Sequence, residues 1–135
     1  MASFNFKILT LDKVFYSGQV ESLIARGIDG DFQILPRHTD MIAVVMPDDI
    51  GFRTVEKELH AFIGRSLLEV VDGNVTIIAD SAEWPEEIDL ARAEEAEKKA
   101  REALAHRDSG NADVTKAELA LMRAIARKKT VKFKG

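Results

Sequence analysis

A chain of 135 residues has room for one domain with its own core, or for a small domain with an appendage, and excludes a large multidomain enzyme. With 46% hydrophobic and 31% charged residues and a net charge of −4, it reads as an ordinary globular protein, neither disordered nor fibrous. It has no cysteine, which excludes disulfides and thiolate chemistry, and His38, His60 and His106 lack the close spacing of a metal site.

The opening "MASFNFKILTLDK" meets a charge at Lys7 and lacks the apolar run of a signal peptide. No stretch reaches the roughly 18 apolar residues of a membrane span, so a soluble, cytoplasmic chain docked on a partner is expected. Up to Trp84, turn formers recur about every 8–12 positions, the spacing of short strands in an all-β sandwich or barrel. "FNFKILT" sets Phe4, Phe6 and Ile8 on one face. "QVESLIARG", "FQIL", "MIAVVM", "ELHAFIG" and "SLLEVVDGNVTIIAD" follow as further strands, the last folded into a hairpin at Asp72-Gly73-Asn74, where Gly and Asn tolerate φ > 0.

The segment "GDFQILPRHTD", Gly30 to Asp40, gathers two acids, an arginine and a histidine. His38 with Asp40 has the residue types of a general base and its orienter. No nucleophile context or phosphate-cradling glycine spacing accompanies them, and Gly30 and Pro36 suit a bend between strands, which is the preferred reading.

After Trp84 the periodicity changes. Pro85, Glu86, Glu87 and Asp89 suit a helix start, predicting a helix of about four to five turns with Ala93, Ala96, Ala100, Ala103 and Leu104 along a narrow stripe. The polar loop "RDSGNAD" leads into "VTKAELALMRAIARKK", where Val114, Ala117, Leu121, Ala124 and Ile125 form a second stripe. Small residues let the two helices approach closely as an antiparallel hairpin, which is marginal alone and must lean on the sandwich or on another subunit.

Charge is unevenly placed. Residues 1–84 carry 7 basic and 13 acidic residues, and residues 114–135 carry 7 basic and one acidic, Glu118. The run "RKKTVKFKG" could grip nucleic acid or an anionic surface, or its cations could simply complement the negative end of a helix and continue into solvent. Asp89 and Arg92, three apart, read first as an exposed ion pair on one helix face.

Together these segments resemble the epsilon subunit of F-type ATP synthase along the whole length. The resemblance rests on the G-[DE]-[FIM]-x-[IVL]-L-P-x-H pattern at Gly30–His38, on the strand pair running into "AD" and "AE", and on "IDLARA" at Ile88–Ala93. It departs from the family at Gln33 and Arg37, where glycine is usual.

The resemblance implies an α+β chain: a ten-stranded β-sandwich over residues 1–84, then an antiparallel two-helix hairpin over 85–135. It implies a non-catalytic central-stalk subunit, bound to gamma and to the c-ring, that couples ion-driven rotation to ATP synthesis. Such a chain is peripheral on the cytoplasmic face of the inner membrane, or on the stromal face of a thylakoid. Leu35, Pro36, Arg37 and His38 would form the rotor-facing loop. Arg123, Arg127 and Lys128 would make the inhibitory contact when the hairpin extends toward the catalytic beta and alpha subunits. No cofactor is required, no metal and no nucleic acid are expected, and Ile88, Asp89, Arg92 and Ala93 match a motif that in some relatives binds regulatory ATP. The competing class is a stand-alone nucleic-acid or anionic-surface binding protein acting through the basic C-terminus.

Overall fold

The computed structural model describes residues 2–27, 30–106 and 111–134, without the side chains of residues 26, 27, 30 and 111–114. Ten strands form two five-stranded sheets: β1 (Phe4–Leu9), β2 (Val14–Val20), β3 (Ser22–Gly27), β4 (Gly30–Ile34), β5 (Met41–Val45), β6 (Asp48–Arg53), β7 (Glu58–Ile63), β8 (Ser66–Val71), β9 (Asn74–Ala79) and β10 (Ala82–Glu83). Sheet A runs β2-β1-β9-β8-β5 and sheet B runs β10-β7-β6-β3-β4. All pairings are antiparallel except β1 with β9.

The alternation in the first strand works as expected: Phe4, Phe6 and Ile8 point into the core, joined by Leu23, Ile34, Ile50, Phe52, Ile63, Leu68 and Ile77 from both sheets. Each such side chain sealed from water contributes about 1.5–3 kcal/mol. Trp84 closes one end of this core. Its ring stacks on Phe15 at 4.4 Å and stands edge-on to Tyr16 at 6.3 Å.

The β8–β9 hairpin turns on two residues, since Val71 pairs directly with Asn74. Asp72 (φ 50°) and Gly73 (φ 79°) both lie in the left-handed region, the signature of a type I′ turn, so Asn74 belongs to the strand.

Three strands lack a clear signal in the sequence: β2, β6 and β10. "QVESLIARG" is two strands, because the chain crosses from sheet A to sheet B at Glu21, whose N–H donates to Arg53 O at 2.7 Å. β6 reads "DDIGFR", with acids and a glycine where strand formers are expected.

The helical part starts later than its proline suggests. Pro85–Glu87 form a single 3₁₀ turn, closed by Glu87 Oε1 accepting from Trp84 N at 2.9 Å. Ile88 is extended and buried, and α1 runs from Leu90 to Ala105. The chain cannot be helical through Ile88 because that side chain packs with Phe62 and Ala126, tying the linker to sheet B.

Helix α2 (Asn111–Val131) begins three residues before Val114; loop residues 107–110 and the Val114 side chain lie outside the described residues. Ala93 and Ala100 of α1 and Ala117 and Ala124 of α2 are buried, so the two small stripes meet there, whereas Ala103 of the expected stripe is exposed. α2 also lies across β6 and β7, so the hairpin leans on the sandwich.

Candidate functional site

The loop Leu35–His38 is a tight turn in which His38 N donates to Leu35 O at 3.2 Å. Pro36 fixes a negative φ at the first central position and Arg37 has φ 66° at the second, which together define a type II turn. Glycine is the residue this position favours, so the arginine carries backbone strain. The His38–Asp40 pair considered for acid–base chemistry does not form. His38 Nδ1–H donates to Thr39 O at 2.8 Å, and Asp40 Oδ1 accepts from Asp72 N at 2.9 Å. Asp40 thereby ties this turn to the β8–β9 turn, with Leu35 half exposed at its tip.

The segment Ile88–Ala93 divides its work. Ile88 and Ala93 are buried. Asp89 does not pair with the Arg92 side chain as an intrahelical ion pair; it is the N-cap of α1, its Oδ1 accepting from Arg92 N at 3.1 Å. Beside it opens a cleft of about 350 Å³ lined by Glu83, Glu87, Asp89, Arg92, Ala93, Ala96 and Arg127. Two arginines there can meet phosphate, and three carboxylates can accept from hydroxyl or amino groups.

Within α2 the basic run is not simply solvated, although Lys132 and Lys134 beyond the helix are exposed. Arg127 Nε donates to Glu83 Oε1 at 2.8 Å while its guanidinium lies 4.4 Å from the centre of the Phe62 ring. Lys128 Nζ reaches Glu97 Oε1 on α1 at 2.8 Å. The Lys128 and Arg101 hydrogen bonds hold the Glu97 carboxyl below its usual range. Lys129 approaches Asp48 at 3.4 Å. Of the three residues expected to form one inhibitory face, Arg127 thus turns to the sandwich and Lys128 to α1, while Arg123 is half-buried on the same helix.

A further feature has no counterpart in the sequence patterns, because it arises from strand register. On the outer face of sheet A, Val14 pairs with Leu9, Leu9 with Ile78, Ile78 with Leu67, and Leu67 with Val44. This apolar row crosses all five strands. Val14 (60%), Ile78 (44%) and Val44 (70%) are strongly exposed, and Leu11 beside Leu9 is exposed as well. Contiguous apolar surface of this kind is a mark of an interaction face.

Residues 3–85 match the family model described as ATP synthase, Delta/Epsilon chain, beta-sandwich domain, and residues 86–132 match its long alpha-helix domain. The chain belongs to the ATP synthase delta/epsilon family. It is 46% identical over 123 residues to the ATP synthase epsilon chain of Clostridium kluyveri, covering 89% of this chain and 90% of that one. It is 40% identical over 126 residues to that of Clostridium novyi, covering 93% and 95%. Among solved structures, a chain in the Euglena gracilis mitochondrial ATP synthase (OSCP/F1/c-ring, rotational state 1) superposes with a TM-score of 0.81 at 20% identity, covering 96% of this chain and 81% of that one. A chain in the Tetrahymena thermophila mitochondrial ATP synthase (central stalk/c-ring) does so at 0.63 and 13%, covering 94% and 95%, and both share the sandwich-plus-helices fold. As an epsilon-type member of the family, the chain is a non-catalytic subunit of ATP synthase. Among its described residues no helix is long and apolar enough to cross a membrane.

Proposed function

We propose that this chain sits in the central stalk with the outer face of sheet A against gamma and the Leu35–His38 turn toward the c-ring, peripheral to the membrane on its cytoplasmic side or, in a plastid, its stromal side. The apolar row Val14–Leu9–Ile78–Leu67–Val44 is the observation that carries this reading. It is bordered on one side by the row Ser17–Lys7–Thr76–Glu69–Ile42, which is polar except for Ile42, so the apolar strip meets a polar margin as protein interfaces do. Torque transfer needs such a fixed attachment, and chemistry by the chain itself is not required.

The hairpin is regulatory in this proposal. Lying on sheet B it occupies Arg127 and Lys128 within the chain; extended, it frees them, with Arg123, for carboxylates of the catalytic beta and alpha subunits. ATP in the Asp89–Arg92 cleft would favour the folded form. Because Glu83 already pairs with Arg127 there, polyphosphate must compete with that carboxylate for the guanidinium.

Val44→Glu with Ile78→Glu tests the attachment, since both side chains are solvent-exposed and the sandwich should still fold. The doubly substituted chain should no longer co-purify with gamma from membranes. Retained co-purification would move the interface elsewhere. For the nucleotide, calorimetry of the isolated chain should show ATP binding that Arg92→Ala weakens by about 1.5–3 kcal/mol, the scale of a hydrogen bond to a charged group. No heat at millimolar ATP would remove the ligand.

A further inference from the structure

Where α2 crosses sheet B it covers a small polar cluster. Asp49 on β6 is only 1% exposed, and its two carboxylate oxygens have different partners. Thr130 of α2, itself fully buried, donates its hydroxyl to Oδ1 at 2.7 Å, and His60 on β7 contributes Nδ1 at 2.9 Å from Oδ2. The imidazole lies flat on the sheet because its cross-strand partner is Gly51, where a Cβ would come within 3.0 Å of the ring. Phe133, just beyond the end of α2, stacks on it at 3.4 Å between centroids and 3° between planes. The remaining charges facing His60 are Glu58 on its own strand, 3.6 Å from Nε2, and the adjoining Asp48–Lys129 pair.

A buried carboxylate needs a cation, and here the group able to supply a full charge against Asp49 is His60. With α2 lifted away, water can solvate both side chains and the imidazole need not be charged. With α2 in place, a neutral imidazole leaves Asp49 with hydrogen bonds and no counter-charge.

We propose that Asp49, His60 and Thr130 form a protonation-operated latch: the hairpin stays docked on sheet B while His60 is charged and is released when that proton is lost. The docking equilibrium belongs to the chain alone, so it can be tested apart from any role in the assembled enzyme.

In the docked form burial disfavours the charged imidazole, while the Asp49 hydrogen bond and charge, with Glu58 adding to them, hold the His60 pKa above its ordinary 6.5. Asp49 and Glu58 both lie on sheet B, so what α2 adds is the loss of water: covering a neutral imidazole buries the Asp49 charge uncompensated, and covering the imidazolium buries a neutral pair. A group raised on docking stabilises the docked form fully below its released-state pKa, and that contribution is lost as pH rises through the docked value. A one-unit difference between the two states makes docking about tenfold weaker on the alkaline side. Burial also raises the Asp48 carboxyl, against the opposing Asp49 N–H and Lys129, so Asp48 needs its own control.

The absence of cysteine makes the test direct. Fluorescent labels on Val55→Cys and Lys99→Cys, both at exposed positions, report the sandwich-to-hairpin distance in the full-length chain. Between pH 5.5 and about 9 the docked fraction should fall in a single-proton step above the ordinary histidine range, and the His60 ring resonance should titrate with it. His60→Gln keeps a hydrogen-bond donor without the charge, and Asp49→Asn removes the need for it; each should flatten the step, while Asp48→Asn leaves it in place. A distance that does not change with pH, a step that survives His60→Gln, or one abolished by Asp48→Asn instead would overturn the latch.

Discussion

The guanidinium of Arg127 lies over the ring of Phe62, 4.4 Å from its centre, and this contact fixes the last turns of α2 on sheet B. Phe62 is fully buried, packed with Ala126 and Ile88 and with Val131 against them, and Arg127 lies over its ring. Arg127→Ala should weaken docking by about 1–2 kcal/mol, combining a partly desolvated cation–π contact with a semi-exposed ion pair. Label-to-label distance in the isolated chain measures this, and unchanged docking would show the contact to be idle. In the reassembled enzyme, Arg123→Ala with Arg127→Ala should still speed ATP hydrolysis. Looser docking alone would slow it, so faster hydrolysis isolates the contact made by the extended hairpin.

Thr130 is the donor that α2 brings to Asp49, and its replacement by valine keeps the shape while removing the hydroxyl. Oδ1 of Asp49 is then buried without that donor, which should cost about 1–3 kcal/mol of docking free energy. Hydrogen exchange at the α2 amides should accelerate accordingly, while exchange in β1, β8 and β9 stays unchanged. Equal protection in both chains would mean that water replaces the hydroxyl.

Arg37 sits at φ 66° in the second central position of its turn. Arg37→Gly should raise sandwich stability by about 1 kcal/mol, since the left-handed region costs a residue with a Cβ about 1–2 kcal/mol and glycine's unfolded-state freedom offsets part of the gain. Urea denaturation is the measurement. A loss of stability would show that the arginine side chain makes compensating contacts.

The core residues between the two sheets belong to residues 4–79, and Trp84 seals them against Phe15. A chain ended after Ile88 should therefore remain folded, and Trp84→Ala in that shortened chain should cost about 3 kcal/mol, the low end for deleting a packed aromatic. Thermal unfolding followed by circular dichroism gives both numbers. An unfolded shortened chain would make the hairpin part of the core.

The sequence by itself determined the strand alternation that seals Phe4, Phe6 and Ile8 in the core, the Asp72-Gly73 turn, and the two alanine stripes. Each of these is a local rule: period two, φ > 0 at glycine, and small residues at helical spacing. The motif at Ile88–Ala93 was also visible, although the role of Asp89 as a cap was not, because a cap and a first-turn ion pair use the same residue types at nearly the same spacing. Only the tertiary structure decided the rest. β6 was hidden because Asp49 and Gly51 face α2, so their fitness for a strand exists only with Thr130 and the His60 ring in place above and beside them. The apolar row Val14–Leu9–Ile78–Leu67–Val44 draws one residue from each of five strands, and nothing along the chain marks them as neighbours. Arg127, Lys128 and Lys129 read as one basic run and separate into three partners, Glu83, Glu97 and Asp48, because a helix turns about 100° per residue and each cation meets a different surface.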